Sequence, residues 1–199
     1  SATAVELFLK KTLRAERQVL GGEFRKTLLD LKTWQLRGFR LRYLLAKITQ
    51  YVDLQAYGAS PSRDRLADYT AGGNDIEHIL AANASAEAAE EFGEGADDVH
   101  IRQSLGNLLI IEKAINRALQ NGRYSGKIFG YEQSKFLLTK CQADAASHHV
   151  GKDDKITATV RALESWDKWN AKAVTDRQKF LSDLAKIVWD IPVSRPTTN

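Results

Sequence analysis

Apolar residues recur at helical spacing through the first third of the chain, with charged residues between them. Such runs cover residues 4–19, 23–34 and 36–57. The pair Gly21-Gly22 follows the first run and Gly58 follows the third, and glycine is the residue that most readily ends a helix. The pattern therefore predicts three amphipathic helices.

The pattern changes after Gly73. Residues 74–80 and 108–111 are short apolar runs with branched side chains, which are typical of strands. Residues 84–92 are rich in alanine and glutamate, and residues 114–120 again have helical spacing. The predicted order is a strand, an insertion that contains a helix, a second strand and a closing helix.

Helical spacing returns in residues 125–140 and 166–189, and residues 141–154 between them predict a connection. The four tryptophans lie on helical patterns, which predicts that they pack in the core. These are Trp34, Trp166, Trp169 and Trp189. The whole pattern indicates an α+β, predominantly helical fold, with a small two-stranded element inserted among packed helices.

The turn-forming residues of segment 59–63 and the pair Gly72-Gly73 mark the expected boundary between two regions. The first is a helical front region, residues 1–58, and the second is residues 59–199. A chain of 199 residues is long enough to bury one core, so we expect the two regions to form one compact unit. The opening Ser1-Ala2-Thr3 and the absence of Met suggest a fragment of a longer chain.

Charge is distributed unevenly, although the formal net charge is only +4. Up to Lys47 there are eleven basic and four acidic residues, whereas the segment from Leu66 to Ile101 has nine acidic residues and no Lys or Arg. Phosphates require cations and a divalent ion requires carboxylates, so this distribution is compatible with a nucleic-acid enzyme. Solvated helix faces would produce the same pattern.

No apolar run is long enough to span a bilayer, and the amino terminus lacks the order of a signal peptide. We therefore expect a cytoplasmic protein without a membrane partner. The single cysteine, Cys141, allows no internal disulfide and no paired thiolates for structural zinc. A metal ion would have to be held by oxygen and nitrogen ligands.

The residues best suited to catalysis are Glu77 and His78, near the end of the first predicted strand. Phosphodiester hydrolysis requires a base that deprotonates water and a cation that neutralises developing charge. A histidine beside a carboxylate can supply the base and a magnesium ligand. Adjacent residues of a regular strand point to opposite faces, so this pair converges on one substrate only if the strand ends or bulges there.

Three motifs together resemble a known nuclease family. They are Glu77-His78-Ile79-Leu80, Leu105-Gly106-Asn107-Leu108 and Asn116. This pattern resembles the HNH, or ββα-metal, superfamily, and specifically the C-terminal nuclease domain of GmrSD-type modification-dependent restriction endonucleases. Two departures are Ala81, where the family often has proline, and Asn116, where the third position of the HNH motif is often histidine.

The resemblance extends outward over most of the chain. The run Arg40-Leu41-Arg42-Tyr43-Leu44-Leu45 is similar to the helix that precedes the nuclease core of the family. The closing Trp, Arg, Leu and Trp helix of the family is matched by Trp169, Arg177, Leu184 and Trp189. In this interpretation, residues 59–199 form the HNH nuclease core with its closing helices.

The resemblance implies a role for each matching residue. Glu77 would be a metal ligand, His78 the general base, Asn107 the residue that positions the His78 loop, and Asn116 the second metal ligand. Asp75, on the Glu77 face of a regular strand, is a candidate auxiliary metal group. The candidate phosphate contacts are Lys127, Arg117 and Arg123, and the candidate auxiliary residues are His100 and Asn121. An amide ligand favours Mg²⁺ or Mn²⁺ over zinc.

The function that follows from the resemblance is a metal-dependent DNA endonuclease that nicks or cuts DNA. Such an enzyme would restrict foreign or modified phage DNA, and the full-length protein would carry an N-terminal nucleotide-hydrolysing sensor domain. Two alternatives stay open: a nucleic-acid-binding module with an inactive HNH-like site, and an RNase that uses the same chemistry.

Overall fold

The computed structural model describes residues 21, 23–142 and 163–189. Its elements are α1 (residues 23–29), α2 (Gly38–Tyr57), α3 (Leu66–Thr70), β1 (Asn74–His78), α4 (Ala86–Phe92), α5 (Val99–Arg102), β2 (Leu108–Glu112), α6 (Lys113–Leu119), α7 (Tyr124–Glu132), α8 (Leu137–Lys140) and α9 (Ala171–Val188). The predicted α+β, predominantly helical fold class is confirmed. The predicted helix 4–19 and most of the predicted connection 141–154 lie outside the described residues.

The described helices include none with the length and apolar character needed to cross a membrane.

The two strands form an antiparallel hairpin whose register runs from Asn74 opposite Glu112 to His78 opposite Leu108. The connection between them is residues 79–107, which carry α4 and α5. Helix α6 begins directly after β2 and contacts both strands. The predicted order of strand, insertion, strand and helix is therefore present.

The hairpin lies between two apolar clusters because both of its faces are covered. Ile76, Leu108 and Ile110 belong to a cluster with residues of α1, α2 and α9. Leu109 and Ile111 belong to a second cluster with residues of α7 and α9. The first cluster joins residues on both sides of position 58, so the described part of the front region packs directly on the rest of the described chain.

A short 3-10 turn, Leu105–Asn107, enters β2 and packs closely against α9. A Cβ atom on Gly106 would lie 2.1 Å from the carbonyl oxygen of Val174, so only glycine allows this approach. The Gly106 N–H donates to Oε1 of Gln178, and Nη1 of Arg177 donates to the carbonyl oxygens of Gly106 (2.8 Å) and Leu108 (2.6 Å). Helix α9 thus fixes the entry to β2.

The prediction of one helix over residues 125–140 was wrong, because the helix breaks between α7 and α8. The break is stabilised by Glu112 at the end of β2, whose carboxylate accepts from Ser134 Oγ (2.8 Å) and from the backbone N–H of Lys135 (2.7 Å). Phe136 is then buried between the helices.

The predicted helix 23–34 is shorter than expected: α1 ends at residue 29, and Thr33–Gln35 form a 3-10 turn. Lys32 forms an isolated antiparallel bridge with Ser104, which takes the backbone out of the helix. The prediction that all four tryptophans are core residues was wrong for Trp34, which is 54% exposed on this turn.

Replacing Gly106 by alanine tests the close contact with α9. Gly106→Ala is expected to lower the free energy of unfolding by about 1–3 kcal/mol, since α9 must move to admit the methyl group. Urea unfolding measures the change. Gly126→Ala is the matched control, because a Cβ atom there meets nothing within 4 Å. Equal stability of the two variants would contradict the prediction.

Asp53 joins three elements around the C-terminal half of α2. Its Oδ1 accepts from the backbone N–H of Leu137 (3.0 Å) and its Oδ2 accepts from the hydroxyl of Tyr69 (3.0 Å). Burial raises the pKa of this carboxyl to about 6, against the hydrogen bonds from Leu137 and Tyr69. The folded protein therefore favours the protonated form of Asp53 relative to the unfolded chain.

This raised pKa predicts a specific dependence of stability on pH. The stabilisation from protonated Asp53 is full below the unfolded pKa, about 3.9, and is lost as the pH rises through about 6. Relative to Asp53→Asn, the wild-type free energy of unfolding should fall by on the order of 3 kcal/mol between about pH 4 and pH 7. Denaturant unfolding of both proteins at several pH values measures this difference. If their free energies of unfolding changed in parallel with pH, the predicted contribution of Asp53 would be excluded.

Candidate active site

Asn107 is fully buried and its side-chain amide links three separate segments. Its Oδ1 accepts from the backbone N–H of Leu80 (2.8 Å) and from Nε1 of Trp169 (3.0 Å). Its Nδ2 donates to the carbonyl oxygens of Leu80 (2.9 Å) and Arg102 (2.8 Å). The amide thereby holds the segment that follows His78 against α5 and the start of α9.

Glu77 and Lys127 form a buried ion pair at the end of β1. The Lys127 Nζ lies 2.6 Å from Oε1 of Glu77, and it also donates to the carbonyl oxygens of His78 (3.0 Å) and Ile79 (3.1 Å). The hydroxyl of Tyr131 donates to the same Glu77 oxygen (3.3 Å). All three N–H groups of the ammonium therefore have acceptors inside the protein.

Burial dominates the titration of this pair. It raises the pKa of the Glu77 carboxyl, while the nearby Lys127 ammonium acts in the opposite direction. Burial and the Glu77 charge raise the pKa of the Tyr131 hydroxyl well above its ordinary value, so Tyr131 stays a hydrogen-bond donor. The lysine thus compensates a carboxylate that would otherwise be costly to bury.

His78 is the last residue of β1 and pairs with Leu108 in the regular register, without a bulge, so its side chain leaves the strand on the face opposite to Glu77. Burial lowers the pKa of the His78 imidazole, and the positive charge of Lys127 lowers it further, whereas a hydrogen bond with Gln103 opposes both effects. Its Nε2 is buried and has no hydrogen-bond partner within the described segments. The imidazole is therefore kept in its neutral form, in which a ring nitrogen can accept a proton.

Asp75 and Asn116 are brought together across 41 residues of sequence. Asn116 lies on α6 and Asp75 on β1, and Nδ2 of Asn116 lies 3.4 Å from Oδ2 of Asp75. The alternation of a strand places Asp75 on the same face as Glu77, and α6 and α7 cover this face. Within residues 23–142 and 163–189, no three His, Cys, Asp or Glu side chains are grouped as a metal-binding cluster.

The position of Lys127 differs from the one expected of a phosphate contact. Its side chain is only 1% exposed, and its N–H groups bind Glu77 and two backbone carbonyls. Arg117 and Arg123, the other candidate phosphate contacts, are exposed on α6 and immediately before α7. Arg117 and Arg123 thus remain the candidate phosphate contacts, because their side chains are exposed.

The two candidate auxiliary residues lie on different sides of the site. His100 is exposed on α5, and its ring meets the edge of the Trp34 ring at a centroid distance of 5.4 Å. Asn121 is exposed in the turn after α6, where its carbonyl oxygen accepts from the backbone N–H of Ser85 (3.3 Å). Neither of them hydrogen-bonds to Glu77 or His78 in the part of the chain that the structure describes.

Two residues of the site escaped the sequence analysis. Gln103 borders the His78 imidazole, and Tyr131 binds the Glu77 carboxylate. Tyr131 follows Lys127 by four residues on α7, so both side chains project from one helix face. This helical spacing could have predicted Tyr131 once Lys127 had been placed beside Glu77.

Comparison with known protein families gives a match that covers residues 22–184. The matching family is the C-terminal domain of GmrSD restriction endonucleases. No curated protein and no solved structure matches the chain. Because the match spans most of the chain and contains the whole hairpin and α6, the chain belongs to this family of restriction endonuclease domains, which confirms the resemblance found in the sequence.

Removing the Lys127 ammonium should destabilise the fold, because Glu77 would be left buried without a counter-charge. Lys127→Met is expected to lower the free energy of unfolding by about 3–5 kcal/mol, and the double variant Glu77→Gln/Lys127→Met should recover part of this loss. The control is Lys172→Met, which breaks the exposed ion pair with Asp176 and should cost less than about 1 kcal/mol. If Lys127→Met and Lys172→Met lowered the free energy of unfolding by similar amounts, the buried pair would be ruled out as a structural element.

Proposed function

We propose that this protein is a divalent-metal-dependent nuclease of the HNH type, which hydrolyses phosphodiester bonds of DNA in the restriction of foreign or modified DNA. The family membership supports the nuclease class. The observation that carries the finer proposal is the contact of Asn116 on α6 with Asp75 on β1, beside Glu77 and His78. One strand and the helix that follows its partner strand thus bring an acid and an amide together on one face of β1, while the imidazole leaves the end of the strand on the other face.

His78 is the proposed general base. Because burial lowers the pKa of its imidazole, the ring is neutral at physiological pH and can take a proton from water. His78 pairs with Leu108 in the regular register, so the proposed base leaves β1 on the face opposite to Glu77. Asn107 and Lys127 act as positioning residues, because they bind the backbone of residues 78–80 from both sides.

Asp75, Glu77 and Asn116 would hold the divalent ion. They offer hard oxygen donors on one strand face, which fits Mg²⁺ or Mn²⁺ better than zinc. Lys127 currently binds Oε1 of Glu77, so an ion at Glu77 would share this carboxylate with the ammonium or displace it. An ion held there would supply positive charge to the phosphate and to the departing oxygen.

The proposed reaction is a direct hydrolysis. A water molecule attacks the phosphorus, its proton passes to the neutral His78 ring, the bond from phosphorus to the 3′ oxygen breaks, and the departing oxygen takes up a proton from solvent water. Arg117 and Arg123 would bind neighbouring backbone phosphates. In the full-length protein, we propose that a nucleotide-hydrolysing domain senses the DNA that this domain cuts.

Exposed basic and aromatic residues at the start of α2 support a nucleic-acid substrate. Arg37 and Arg40 are exposed there, as are Phe39 (66%) and Tyr43 (47%), and Trp34 lies on the preceding turn. The turn is joined to Gln103, which borders His78, by the backbone hydrogen bond from Thr33 N–H to the carbonyl oxygen of Gln103 (2.9 Å). Cations that bind phosphates and rings that stack on bases are thus exposed near the proposed base.

Replacing His78 by alanine tests the proposed base. In a plasmid-nicking assay with Mg²⁺, His78→Ala should reduce the cleavage rate by about 10²–10⁴-fold while DNA binding and thermal stability change little. His100→Ala, which removes an exposed imidazole, is the matched control and should retain most of the activity. An unchanged rate in His78→Ala would refute the assignment, and faster cleavage of RNA than of DNA in a parallel assay would support the RNase alternative instead.

The proposed metal ligands can be tested without measuring cleavage. Asp75→Asn and Asn116→Ala should each weaken Mn²⁺ binding by on the order of tenfold or more, because each removes one of few oxygen ligands. Titration of bound Mn²⁺ by electron paramagnetic resonance measures the affinity. Glu90→Gln on α4, an exposed acid, is the control. Wild-type affinity in both test variants would remove Asp75 and Asn116 from the ligand set.

A further inference from the structure

A cavity of about 470 Å³ lies between the C-terminal end of α2, α3 and the segment that joins α7 to α8. This volume is within the roughly 300–1,000 Å³ typical of small-molecule sites. The cavity is at the opposite end of the hairpin from His78: Asn74, the first residue of β1, donates its Nδ2 to the carbonyl oxygens of Asp68 (2.9 Å) and Tyr69 (3.2 Å) beside it. The proposed catalytic residues do not line it.

Aromatic rings form much of the cavity wall. Tyr57, Tyr69 and Phe136 all line it, and the rings of Tyr69 and Phe136 lie 5.4 Å apart at a tilt of 35°. Tyr57 is half-buried, so part of its ring is open to the cavity side. Tyr69 and Phe136 are themselves buried (4% and 2% exposed), so Tyr57 is the ring of this wall on which a planar heterocycle can stack.

Two cations lie over these rings. The Arg63 guanidinium carbon is 5.7 Å from the centroid of the Tyr57 ring, and its Nε and Nη2 donate to the carbonyl oxygens of Gly58 (2.7 Å) and Tyr57 (3.2 Å). The Lys135 Nζ is 4.9 Å from the centroid of the Phe136 ring. Lys135 is exposed and forms no ion pair among the described residues. Both cations thus line the cavity, where they can bind a phosphate, and Arg63 is held in place by its two backbone acceptors.

The carboxylate of Asp53 lies at the buried end of the cavity. Each of its oxygens accepts one hydrogen bond from the protein, from Leu137 N–H or from the Tyr69 hydroxyl. A carboxylate oxygen can accept two hydrogen bonds, so both oxygens keep acceptor capacity for a ligand N–H. Amino groups of nucleobases are donors of this kind.

We propose that this cavity is a nucleotide-binding subsite, in which the base stacks on Tyr57, donates to Asp53 and leaves its phosphate against Lys135 and Arg63. The nucleotide is either free or part of a DNA strand that also reaches the nuclease site. Guanine, with two adjacent N–H donors, suits a carboxylate best, and thymine, whose single N–H lies between two carbonyls, suits it least.

Calorimetry of the whole chain with the four deoxynucleoside monophosphates tests the proposal. Lys135→Gln should weaken binding of the monophosphate about tenfold, as expected for the loss of a charge-assisted contact, and should not affect the nucleoside that lacks the phosphate. Tyr57→Leu should weaken binding of both. Lys26→Gln, an exposed lysine on α1, is the control, and His78→Ala should bind monophosphates normally whether or not it cuts DNA.

A second titration, with a short DNA strand, distinguishes the two sources of the nucleotide. If Lys135→Gln and Tyr57→Leu weaken the binding of DNA but the wild type binds no monophosphate, the nucleotide belongs to the strand. If the wild type binds monophosphates and the variants bind DNA normally, it is a free ligand. The proposal is overturned if the wild type binds no monophosphate and the two variants, with wild-type melting temperatures, bind DNA normally.

Discussion

The buried amide of Asn107 is the constraint on which the rest of the site depends. Both of its polar atoms make two hydrogen bonds, so the residue is satisfied only if Leu80, Arg102 and Trp169 are all in place. Aspartate would lack the donors, and an apolar residue would leave several buried backbone groups without partners. One side chain therefore couples the segment after His78 to the end of α5 and to the start of α9, and it makes the region cooperative.

Two buried cations stabilise the backbone at the same end of the hairpin. Lys127 binds the carbonyls of His78 and Ile79, while Arg177 binds those of Gly106 and Leu108. Burial lowers the pKa of Arg177 to about 10, which still leaves it charged at neutral pH. Glu77 compensates only one of these charges among the described residues. The interior behind the strand end is therefore positive, which favours an anionic ligand beside it.

Sequence patterns predicted the hairpin, α2, α4, α6 and α9 because periodicity and motif spacing are local properties. They did not predict the break between α7 and α8, because Glu112 stabilises it from a distant strand. The same limit applied to the site. The motifs identified Asn107 and the Glu77-His78 pair as the residues of interest, but only the packing of α7 on the hairpin places Lys127 in the interior. Contacts between distant segments are invisible to periodicity.

The insertion between β1 and β2 is closed on itself as well as tied to the hairpin. Arg102, near its end, donates to the carbonyl oxygens of Ala96 (2.5 Å) and Ala82 (3.0 Å) and pairs with Asp97. Asn107 fastens the first residues of the insertion to its last ones, so the two strands are joined at the base of the loop. The insertion can therefore be redesigned at exposed positions such as Asn83 and Glu94, whereas the backbone of Leu80 and Arg102 must stay where Asn107 binds it.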